Sequence, residues 1–226
     1  METLLQTIVP NVVSKPDVFL RSIKETLIML AWSGALIFLI GMVLGIAMIA
    51  MKKGGIMDNP AVYQILDKVI NFFRSIPFII LLAGLIPLTR IIMGTAIGVS
   101  GAIVPLVFGT APFFARQVEA ALAELDGGVI EAALAMGSSP LEIIFRVYLK
   151  ESVPALSRAV TITAISLIGL TAMAGAIGAG GLGDFAIRYG HQRNQIDVTY
   201  VTVITLVLLV TIIQVIGNVI AKKNTH

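Results

Sequence analysis

The chain has 226 residues, of which 57% are hydrophobic and 13% are charged, and its formal net charge is +3. Soluble domains carry about a quarter charged residues, so this composition indicates an integral membrane protein and gives no argument for nucleic-acid binding. The sequence contains no cysteine and two histidines. This excludes disulfides, thiol catalysis and cysteine-ligated metals, and it argues against a zinc site. We expect neither a metal nor a catalytic residue in this chain.

Charged residues are missing from five windows of the sequence, 26–51, 75–89, 91–115, 159–183 and 198–221. About 20 apolar residues cross the hydrocarbon core of a bilayer as a helix, so we predict an all-α membrane protein with five spans. The chain is treated as a single transmembrane domain over 1–226. The second span is extended back to Ile65, because its uncharged window is too short to cross alone. The predicted spans are about 22–51, 65–89, 95–115, 155–175 and 197–221.

The start of the chain lacks the pattern of a cleaved signal peptide, so we expect the first span to serve as the insertion signal. Alternating sides of the five predicted spans receive ten and six Lys and Arg residues. Under the positive-inside rule, this count predicts an N-terminus outside the cell and a C-terminus in the cytoplasm.

Three features stand out in the first two spans. Gly41 and Gly45 have a GxxxG spacing that lets helices approach closely, although glycine is also common in membrane helices without that role. Pro77 is predicted to kink the second span, and Ser75 is a candidate partner for the carbonyl group that the proline leaves unpaired. Arg74 is a candidate gating or pairing residue; the alternative is that it lies near the cytoplasmic interface and extends into water.

The later spans contain further residues that disturb regular backbone. Pro105 and Pro112 predict a bent third helix, which continues as an alanine-rich extension toward Asp126. Between the fourth and fifth spans, segment 175–183 holds five glycines in nine residues. Non-helical backbone at membrane depth must pack within protein or line a water-filled cavity, so we expect one of these surroundings for the segment.

The longest segment between two predicted spans lies on the predicted cytoplasmic side, between the third and fourth spans, and is longer than a chain reversal requires. Asp126 is the predicted N-cap of a helix that starts at Val129. Gly137 is predicted to end this helix in the left-handed conformation that glycine adopts readily. The sequence thus predicts a helix followed by a sharp glycine turn.

A second helix is predicted directly after that turn. Ser139 and Glu142 have the spacing of a capping box, and Pro140 stands in the first helical turn. Ile143, Ile144 and Val147 would form the apolar side of this helix, which leads to the fourth span. The alternative is a loop that carries two ordinary surface helices and binds nothing.

The residues around the glycine turn resemble the coupling-helix signature of ABC-importer permeases, in which Glu-Ala-Ala is followed by Gly after three residues. The matching residues are Glu131, Ala132, Ala133 and Gly137. Other segments resemble the permease subunit of the bacterial methionine ABC importer, and together they extend the similarity from about residue 20 to 220; they are 71–82, 87–95, 103–116 and 175–183. One departure is Lys150, where family members usually have proline, and it leaves the junction into the fourth span unpredicted.

The resemblance implies a type I ABC-importer permease fold and a set of partners. These are a second copy of the chain in a homodimer, two cytoplasmic ATPase subunits, an external substrate-binding lipoprotein and the bilayer of a bacterial cell membrane. The chain has no phosphate-binding loop, so we expect no cofactor on it, and ATP and Mg²⁺ on the ATPase. The implied function is import of D- or L-methionine or close analogues. Coupling to the ATPase is assigned to segment 129–140, through Glu131, Ala132, Ala133, Gly137, Ser139 and Pro140.

The predicted substrate path follows the fourth span and the glycine segment. Small residues leave room there, hydroxyl groups offer hydrogen bonds, and a thioether can contact another thioether. Helix packing is the alternative role for each of these residues. The selected residues are Ser166, Thr171, Met173 and Gly175. A further group on the outer side is predicted to meet the binding protein or to anchor the chain at the lipid headgroups: Arg188, Tyr189, His191 and Arg193.

Three alternative functions differ from this interpretation in cargo or in mechanism. The same mechanism with another small amino acid as cargo would leave nearly the same sequence, because an external binding protein supplies most of the selectivity. An ion-coupled secondary transporter is more distant, since such proteins usually have internal repeats and an intramembrane acidic residue, and we find neither. A membrane-embedded enzyme is also distant, because no carboxylate pair, histidine cluster or activated serine lies within a predicted span.

Overall fold

A computed structural model describes residues 8–224, which form helices joined by short connections, with no strand among them. The predicted all-α class is confirmed for this part of the chain. Within it, four helices are long and apolar enough to cross a membrane, judged by length and composition: Pro16–Met51, Gly98–Ala123, Val153–Ala179 and Ile196–Lys223. Four of the five predicted spans are therefore present as single long helices.

We number the helices in chain order. The first six are α1 (Pro10–Val13), α2 (Pro16–Met51), α3 (Pro60–Ser75), α4 (Phe78–Gly84), α5 (Ile86–Met93) and α6 (Gly98–Ala123). They are followed by α7 (Gly127–Ala135), α8 (Pro140–Ile143), α9 (Val153–Ala174), α10 (Gly181–Asp184) and α11 (Ile196–Lys223). Segments of π-helix extend α8 and α10, over Ile144–Tyr148 and Phe185–His191, and Leu149–Glu151 adds a helical turn before α9. After α9, Gly175–Ala179 contains a kink, where Ile177 and Gly178 have non-helical backbone.

The predicted second span, 65–89, is not one helix. The chain instead forms α3, α4 and α5, and α3 begins at Pro60 rather than near Ile65. Ile76 has extended backbone, with φ −86° and ψ 124°, because the ring of Pro77 disfavours helical geometry in the residue before it. The prediction of a helix kinked at Pro77 was therefore wrong, since α3 ends before this residue. By contrast, Pro105 and Pro112 lie inside α6 without interrupting it.

Residue contacts divide the chain into two compact units, which we describe separately. Unit 1 comprises Met1–Ala35, Pro77–Val107 and Ala164–Ile213, and unit 2 comprises Leu36–Ile76, Phe108–Thr163 and Gln214–His226. Each of the four long helices contributes residues to both units, so the single domain predicted over 1–226 stays a prediction.

Unit 2 is built around close packing of α2 on α6. A Cβ atom added to Gly41 would lie 2.5 Å from Cδ1 of Phe114, and one added to Gly45 would lie 2.6 Å from Cβ of Val118. Only a residue without a side chain permits this approach at both positions. Of the two explanations for the GxxxG pattern, the packing seam is thus confirmed. Beside the seam lies a buried cluster of Met48, Ile70 and Ala115.

Unit 1 has its own apolar cluster, formed by Val12, Phe185 and Val198, all of which are buried. Short α1 is fastened to the start of α11 by two hydrogen bonds, because the backbone N–H and the side-chain amide of Asn11 both donate to the Asp197 carboxylate at 2.9 Å. These contacts hold α1 against the first turn of α11.

Candidate functional site

The loop after α6 has the local geometry that its sequence predicts. The Asp126 carboxylate accepts the Gly128 N–H at 2.9 Å, so Asp126 caps α7, which begins at Gly127, two residues before the predicted Val129. Gly137 follows the helix with φ +81°. Its N–H donates to the Leu134 carbonyl, and the next N–H donates to the carbonyl of Ala133. This pair of bonds is the Schellman arrangement, which ends a helix at a left-handed glycine.

The predicted capping box at α8 is also confirmed. The Glu142 N–H donates to the Ser139 hydroxyl, and the Glu142 carboxylate accepts the Ser139 N–H at 2.9 Å. Pro140 occupies the first turn. The pKa of the Glu142 carboxyl lies below its ordinary value. The largest cause is the hydrogen bond from the Ser139 backbone N–H, followed by the bond from the Ser139 hydroxyl, and the charge of Arg146 contributes less. The turn at Gly137 and the capping box at Ser139 are therefore both held by hydrogen bonds between residues that are close in sequence.

The coupling residues predicted from the sequence do not all face outward. Glu131, Ala132, Gly137, Ser139 and Pro140 are exposed. Ala133 is only 3% exposed, because its side chain is turned into unit 2. A contact between the Ala133 side chain and a partner is therefore not available in this structure, and the residue instead supports α7 from behind.

Several apolar side chains on this loop are exposed although they were not predicted as functional residues. Met136 is 79% exposed, and it is accompanied by Val129, Leu134, Leu141 and Phe145, all of them exposed. Exposed apolar side chains gathered on one segment mark an interaction surface. The sequence does contain a signal for this surface, because large apolar residues stand beside the glycine turn in a segment that lies outside the predicted membrane spans.

Beside α7, unit 2 contains a cavity of about 270 Å³. Its walls include Ile130, Glu131 and Leu134 from α7, together with Lys52 and Tyr148. Burial raises the pKa of the Tyr148 phenol. Three residues of α7 therefore border this cavity, whereas Ala133 in the same helix is packed against unit 2.

A cluster of polar side chains joins α3 to α6 within unit 2. The Arg116 guanidinium pairs with the Asp67 carboxylate and with Glu119, the latter at 2.7 Å. The Tyr63 hydroxyl donates to Glu119 at 3.1 Å. Burial and the neighbouring Glu119 charge raise the pKa of Tyr63. The cluster was not predicted, since Asp67 and Arg116 are far apart in sequence and meet only through the fold.

The predicted gate residues lie at the end of α3. Arg74 is exposed and donates to the Asn71 side-chain oxygen at 3.4 Å, an atom to which Arg116 also donates. The Ser75 hydroxyl bonds to the carbonyl of Asn71 at 2.8 Å. The prediction that Ser75 satisfies the carbonyl freed by Pro77 was wrong, because the carbonyl four residues before the proline accepts the Ile76 N–H instead. A gating role for Arg74 stays a prediction.

The four predicted path residues, all in unit 1, fall into two groups. Ser166 and Met173 are exposed, and their spacing of seven residues places them on one face of α9. Thr171 is buried, and its hydroxyl donates to the Ile168 carbonyl at 2.7 Å. Gly175 is also buried, and a Cβ atom there would lie 2.6 Å from the Gly180 carbonyl oxygen. The structure therefore presents two of these residues outward and packs the other two.

The glycine segment turns back on itself through three glycines with positive φ: Gly178, Gly180 and Gly181. Two of its backbone N–H donors are satisfied by side chains of α2. Glu25 accepts the Gly181 N–H at 2.8 Å, and the Thr26 hydroxyl accepts the Leu182 N–H at 2.9 Å. The segment also lines a cavity of about 440 Å³. The expectation that it packs within protein or borders a cavity is therefore met in both respects.

The residues predicted on the outer side lie in the π-helical segment after α10 and just beyond it. Arg188 pairs with Asp184 at 2.9 Å, and the guanidinium carbon of Arg193 lies 4.8 Å from the centroid of the Tyr189 ring. His191 is exposed. The predicted role of these residues, in meeting a binding protein or in anchoring the chain at the headgroups, stays a prediction.

Over residues 37–226 the chain matches the family described as the binding-protein-dependent transport system inner membrane component. The chain belongs to this family. Its members are multi-pass membrane components of transporters, so this chain is a transport subunit and not an enzyme. The resemblance found in the sequence is confirmed at this level.

Two relatives carry more specific names. The chain is 45% identical over 210 residues to the probable D-methionine transport system permease protein MetI of Vibrio cholerae, covering 93% of each chain. It is 48% identical over 169 residues to the methionine import system permease protein MetP of Bacillus subtilis, covering 75% of this chain and 76% of that one.

Solved structures agree with the family assignment. A chain of the MetNI methionine ABC transporter, solved in inward-facing conformations, superposes with a TM-score of 0.92 and 44% identity, over 94% of this chain and 99% of that chain. An amino acid ABC transporter determined with histidines superposes with a TM-score of 0.77 at 16% identity, over 95% and 98% of the chains, which shows a common fold. The predicted type I ABC-importer permease fold is confirmed.

Proposed function

We propose that this chain is the permease subunit of an ATP-driven importer of D- or L-methionine or close analogues. The observation that supports this cargo is the superposition on a chain of the methionine transporter, at 44% identity across almost all of both chains. The same observation supports a homodimer with two cytoplasmic ATPase subunits. An external substrate-binding lipoprotein, an N-terminus outside and a cytoplasmic C-terminus complete the proposal.

In this proposal the loop that contains α7 is the coupling element. Its outward side carries Glu131, Ala132 and Gly137, next to the exposed thioether of Met136. Binding of a partner over an apolar surface of this kind is favourable, because it removes the apolar side chains from water. The ATPase would therefore bind the exposed apolar residues together with the polar turn, while buried Ala133 keeps α7 seated on unit 2.

The short connections of the loop suit the transfer of a displacement from the ATPase to the membrane helices. Three residues separate the end of α6 from Gly127, and four separate Ala135 from Pro140. The caps at Asp126 and Ser139 and the turn at Gly137 remove the freedom of these short links. A displacement of α7 by a closing pair of ATPase subunits would then be carried into α6 and, through α8, into α9. ATP and Mg²⁺ would be bound by the ATPase, since this chain lacks a phosphate-binding loop.

The substrate route is proposed to follow the open face of α9. Ser166 and Met173 lie on that face, so a hydroxyl and a thioether would be presented to a passing methionine. Thr171 and Gly175 would act from within unit 1, by holding the helix and the glycine segment in place. In the homodimer, two such faces would border a route along the two-fold axis.

The experiment that tests this proposal is ATP hydrolysis by the complete transporter in lipid, with and without methionine-loaded binding protein. A Gly137→Trp variant is compared with Gly94→Trp. Both glycines have positive φ, at +81° and +73°, and a Cβ atom at either position meets no atom within 4 Å. The two substitutions therefore share a backbone cost of about 1 kcal/mol and differ in whether they block the proposed docking surface.

We expect methionine-stimulated hydrolysis to fall about tenfold or more in Gly137→Trp, equivalent to about 1.4 kcal/mol, and to persist in Gly94→Trp. Stimulation by another small amino acid but not by methionine would replace the cargo and keep the mechanism. Equal losses in both variants would remove the coupling role from the turn. A chain that does not associate with any ATPase would contradict the proposal as a whole.

A further inference from the structure

The cavity of about 440 Å³ in unit 1 is the larger of the two cavities described above. We call it the unit 1 cavity. Small-molecule sites commonly occupy about 300–1,000 Å³, so its volume suits a compact ligand. Its walls come from the beginning of α2, the beginning of α6 and the glycine segment with its continuation, and they include Arg21, Glu25, Val99, Gly178, Asp184 and Arg188.

Four of these wall residues are charged, and their charges cancel. Arg21 Nε pairs with Glu25 Oε1 at 2.8 Å on α2, and Arg188 Nη2 pairs with Asp184 Oδ1 at 2.9 Å. The two acidic side chains are about one-fifth exposed, whereas the two arginine side chains are more than half exposed. The carboxylates are therefore held at the wall, and the guanidinium groups reach further toward open space.

Each ion pair joins a single nitrogen to a single oxygen. A guanidinium has five N–H donors and a carboxylate has about four acceptor positions, so both members of each pair keep bonding capacity for a ligand. Arginine binds carboxylates through two parallel N–H bonds, and an ammonium group offers three donors to acidic side chains. The cavity thus offers a partner for a negative group and a partner for a positive group within the same small volume.

The glycine segment shapes this wall. A Cβ atom on Gly180 would lie 2.5 Å from Oε2 of Glu25, the same oxygen that accepts the Gly181 N–H. The absence of a side chain at Gly180 therefore allows the Glu25 carboxylate to sit at the cavity wall. Gly178 borders the cavity with positive φ and leaves open space where a side chain would stand.

We propose that the unit 1 cavity binds the zwitterionic end of a free amino acid. The ligand carboxylate would bind Arg21 or Arg188, and its ammonium would bind Glu25 or Asp184. The charges of the wall already cancel, so a ligand with only one charge would bring a net charge into the cavity, and the site would favour a neutral zwitterion over an anion or a cation. The identity of the zwitterion as an amino acid, and not a zwitterionic lipid headgroup, rests on the proposed import function.

The test uses the lack of cysteine in this chain. Val99→Cys places one thiol on the cavity wall, and Ser100→Cys places one on the exposed neighbouring residue outside it. The transporter with its ATPase is held in lipid nanodiscs and treated with a small thiosulfonate reagent. Intact mass of this chain alone then reports the rate of modification at one site.

We expect L-methionine at ten times its dissociation constant to slow modification of Val99→Cys about tenfold, by simple occupancy, and to leave Ser100→Cys unchanged. Methioninamide, which lacks the carboxylate, and 3-(methylthio)propionate, which lacks the ammonium, should protect much less at the same concentration. Combined Arg21→Gln and Arg188→Gln changes should abolish protection. Lys24→Gln removes the same charge from α2 at a residue that does not border the cavity, so it should retain protection.

Other outcomes would overturn the inference. They are a Val99→Cys thiol that does not react at all, protection that is equal for all three compounds, or no protection in a transporter whose ATP hydrolysis still responds to methionine. Slower modification in phosphatidylethanolamine than in phosphatidylglycerol nanodiscs, with no effect of methionine, would assign the site to a lipid headgroup. Protection without methionine-stimulated hydrolysis would support the site and count against the proposed cargo instead.

Discussion

Two of the glycine-containing breaks between helices, at Gly137 and in segment 175–183, are stabilised by different kinds of contact. At Gly137, every bond that defines the turn joins residues within five positions of one another. In the glycine segment 175–183, the decisive bonds come from Glu25 and Thr26, each 156 residues away in sequence. The first break is a property of its own segment, whereas the second exists only when α2 is in place.

This difference suits the two proposed roles. An element that binds a partner and transmits a push needs a fixed shape while its surroundings move, and local caps provide that shape. The glycine segment, in contrast, borders a cavity whose wall includes the α2 residue that stabilises it. A change in the position of the first turns of α2 would therefore alter the segment and the cavity together.

The largest expected effect tests the tight packing of the glycine segment. A Cβ atom on Gly183 would overlap the Ala172 backbone carbonyl, whereas one on Gly169 would meet no atom within 4 Å. Backbone cannot yield as a flexible side chain can, so we expect Gly183→Ala to cost about 1–3 kcal/mol or more. Gly169→Ala should be neutral or stabilise the helix by up to about 1 kcal/mol.

Thermal unfolding of the purified chain in lipid, followed by the fluorescence of its single tryptophan, Trp32, would measure both variants. A loss of about 1 kcal/mol corresponds to roughly 2–4 °C for a chain of this length. Equal unfolding temperatures for Gly183→Ala and the unmodified chain would contradict the description of this segment as closely packed.

The next effect isolates one long-range bond. Thr26→Val removes the acceptor of the buried Leu182 N–H and leaves that donor unpaired, which costs about 1–3 kcal/mol. Thr202→Val is the matched control, because the Thr202 hydroxyl only donates to the carbonyl one turn earlier in its own helix. We expect it to change the unfolding temperature little. If the two variants were equally destabilised, the bond to Leu182 would not be what holds the segment.

The same contrast explains what the sequence could predict. The N-cap at Asp126, the left-handed Gly137 and the capping box at Ser139 depend on the conformational preferences of adjacent residues, so composition and spacing were sufficient. The four long helices were predictable because apolar length alone decides them. The division of the second span into three helices was missed, because Pro77 was expected to bend a helix that it ends.

The residues that complete the candidate site could not be read from local patterns. Burial of Ala133 depends on which side of α7 packs on unit 2, and the three alanines of the helix, at 132, 133 and 135, leave that side undetermined. The pairing of Arg116 with Asp67 and the reach of Glu25 to Gly181 depend on contacts between distant segments. Each of these residues is ordinary in its own sequence context, and only the fold gives it a partner.

A smaller effect tests the local break. Ser139→Ala removes the hydroxyl that accepts the Glu142 N–H, and loss of an N-cap of this kind costs about 0.5–2 kcal/mol. Ser138→Ala changes the same residue type one position earlier, outside the cap, and should have little effect. Amide hydrogen exchange over 139–145 in the intact chain should accelerate for Ser139→Ala and remain unchanged over 175–183. Acceleration in both segments would contradict the local character of the first break.

The smallest expected effect concerns the pH dependence of that same cap. The pKa of Glu142 is lowered in the folded chain, first by the backbone N–H of Ser139 and then by its hydroxyl. A carboxyl with a lowered folded pKa stabilises the fold at pH values above its unfolded pKa, about 4.3, and loses this contribution as the pH falls through the folded pKa. The difference in unfolding temperature between the unmodified chain and Glu142→Gln should therefore be constant near neutral pH and shrink below about pH 4. In a Ser139→Ala background the pH-dependent part should be smaller but still present, because the backbone N–H remains as the larger cause. A difference that grows as the pH falls would mean that the protonated carboxyl, and not the carboxylate, is the form that the cap binds.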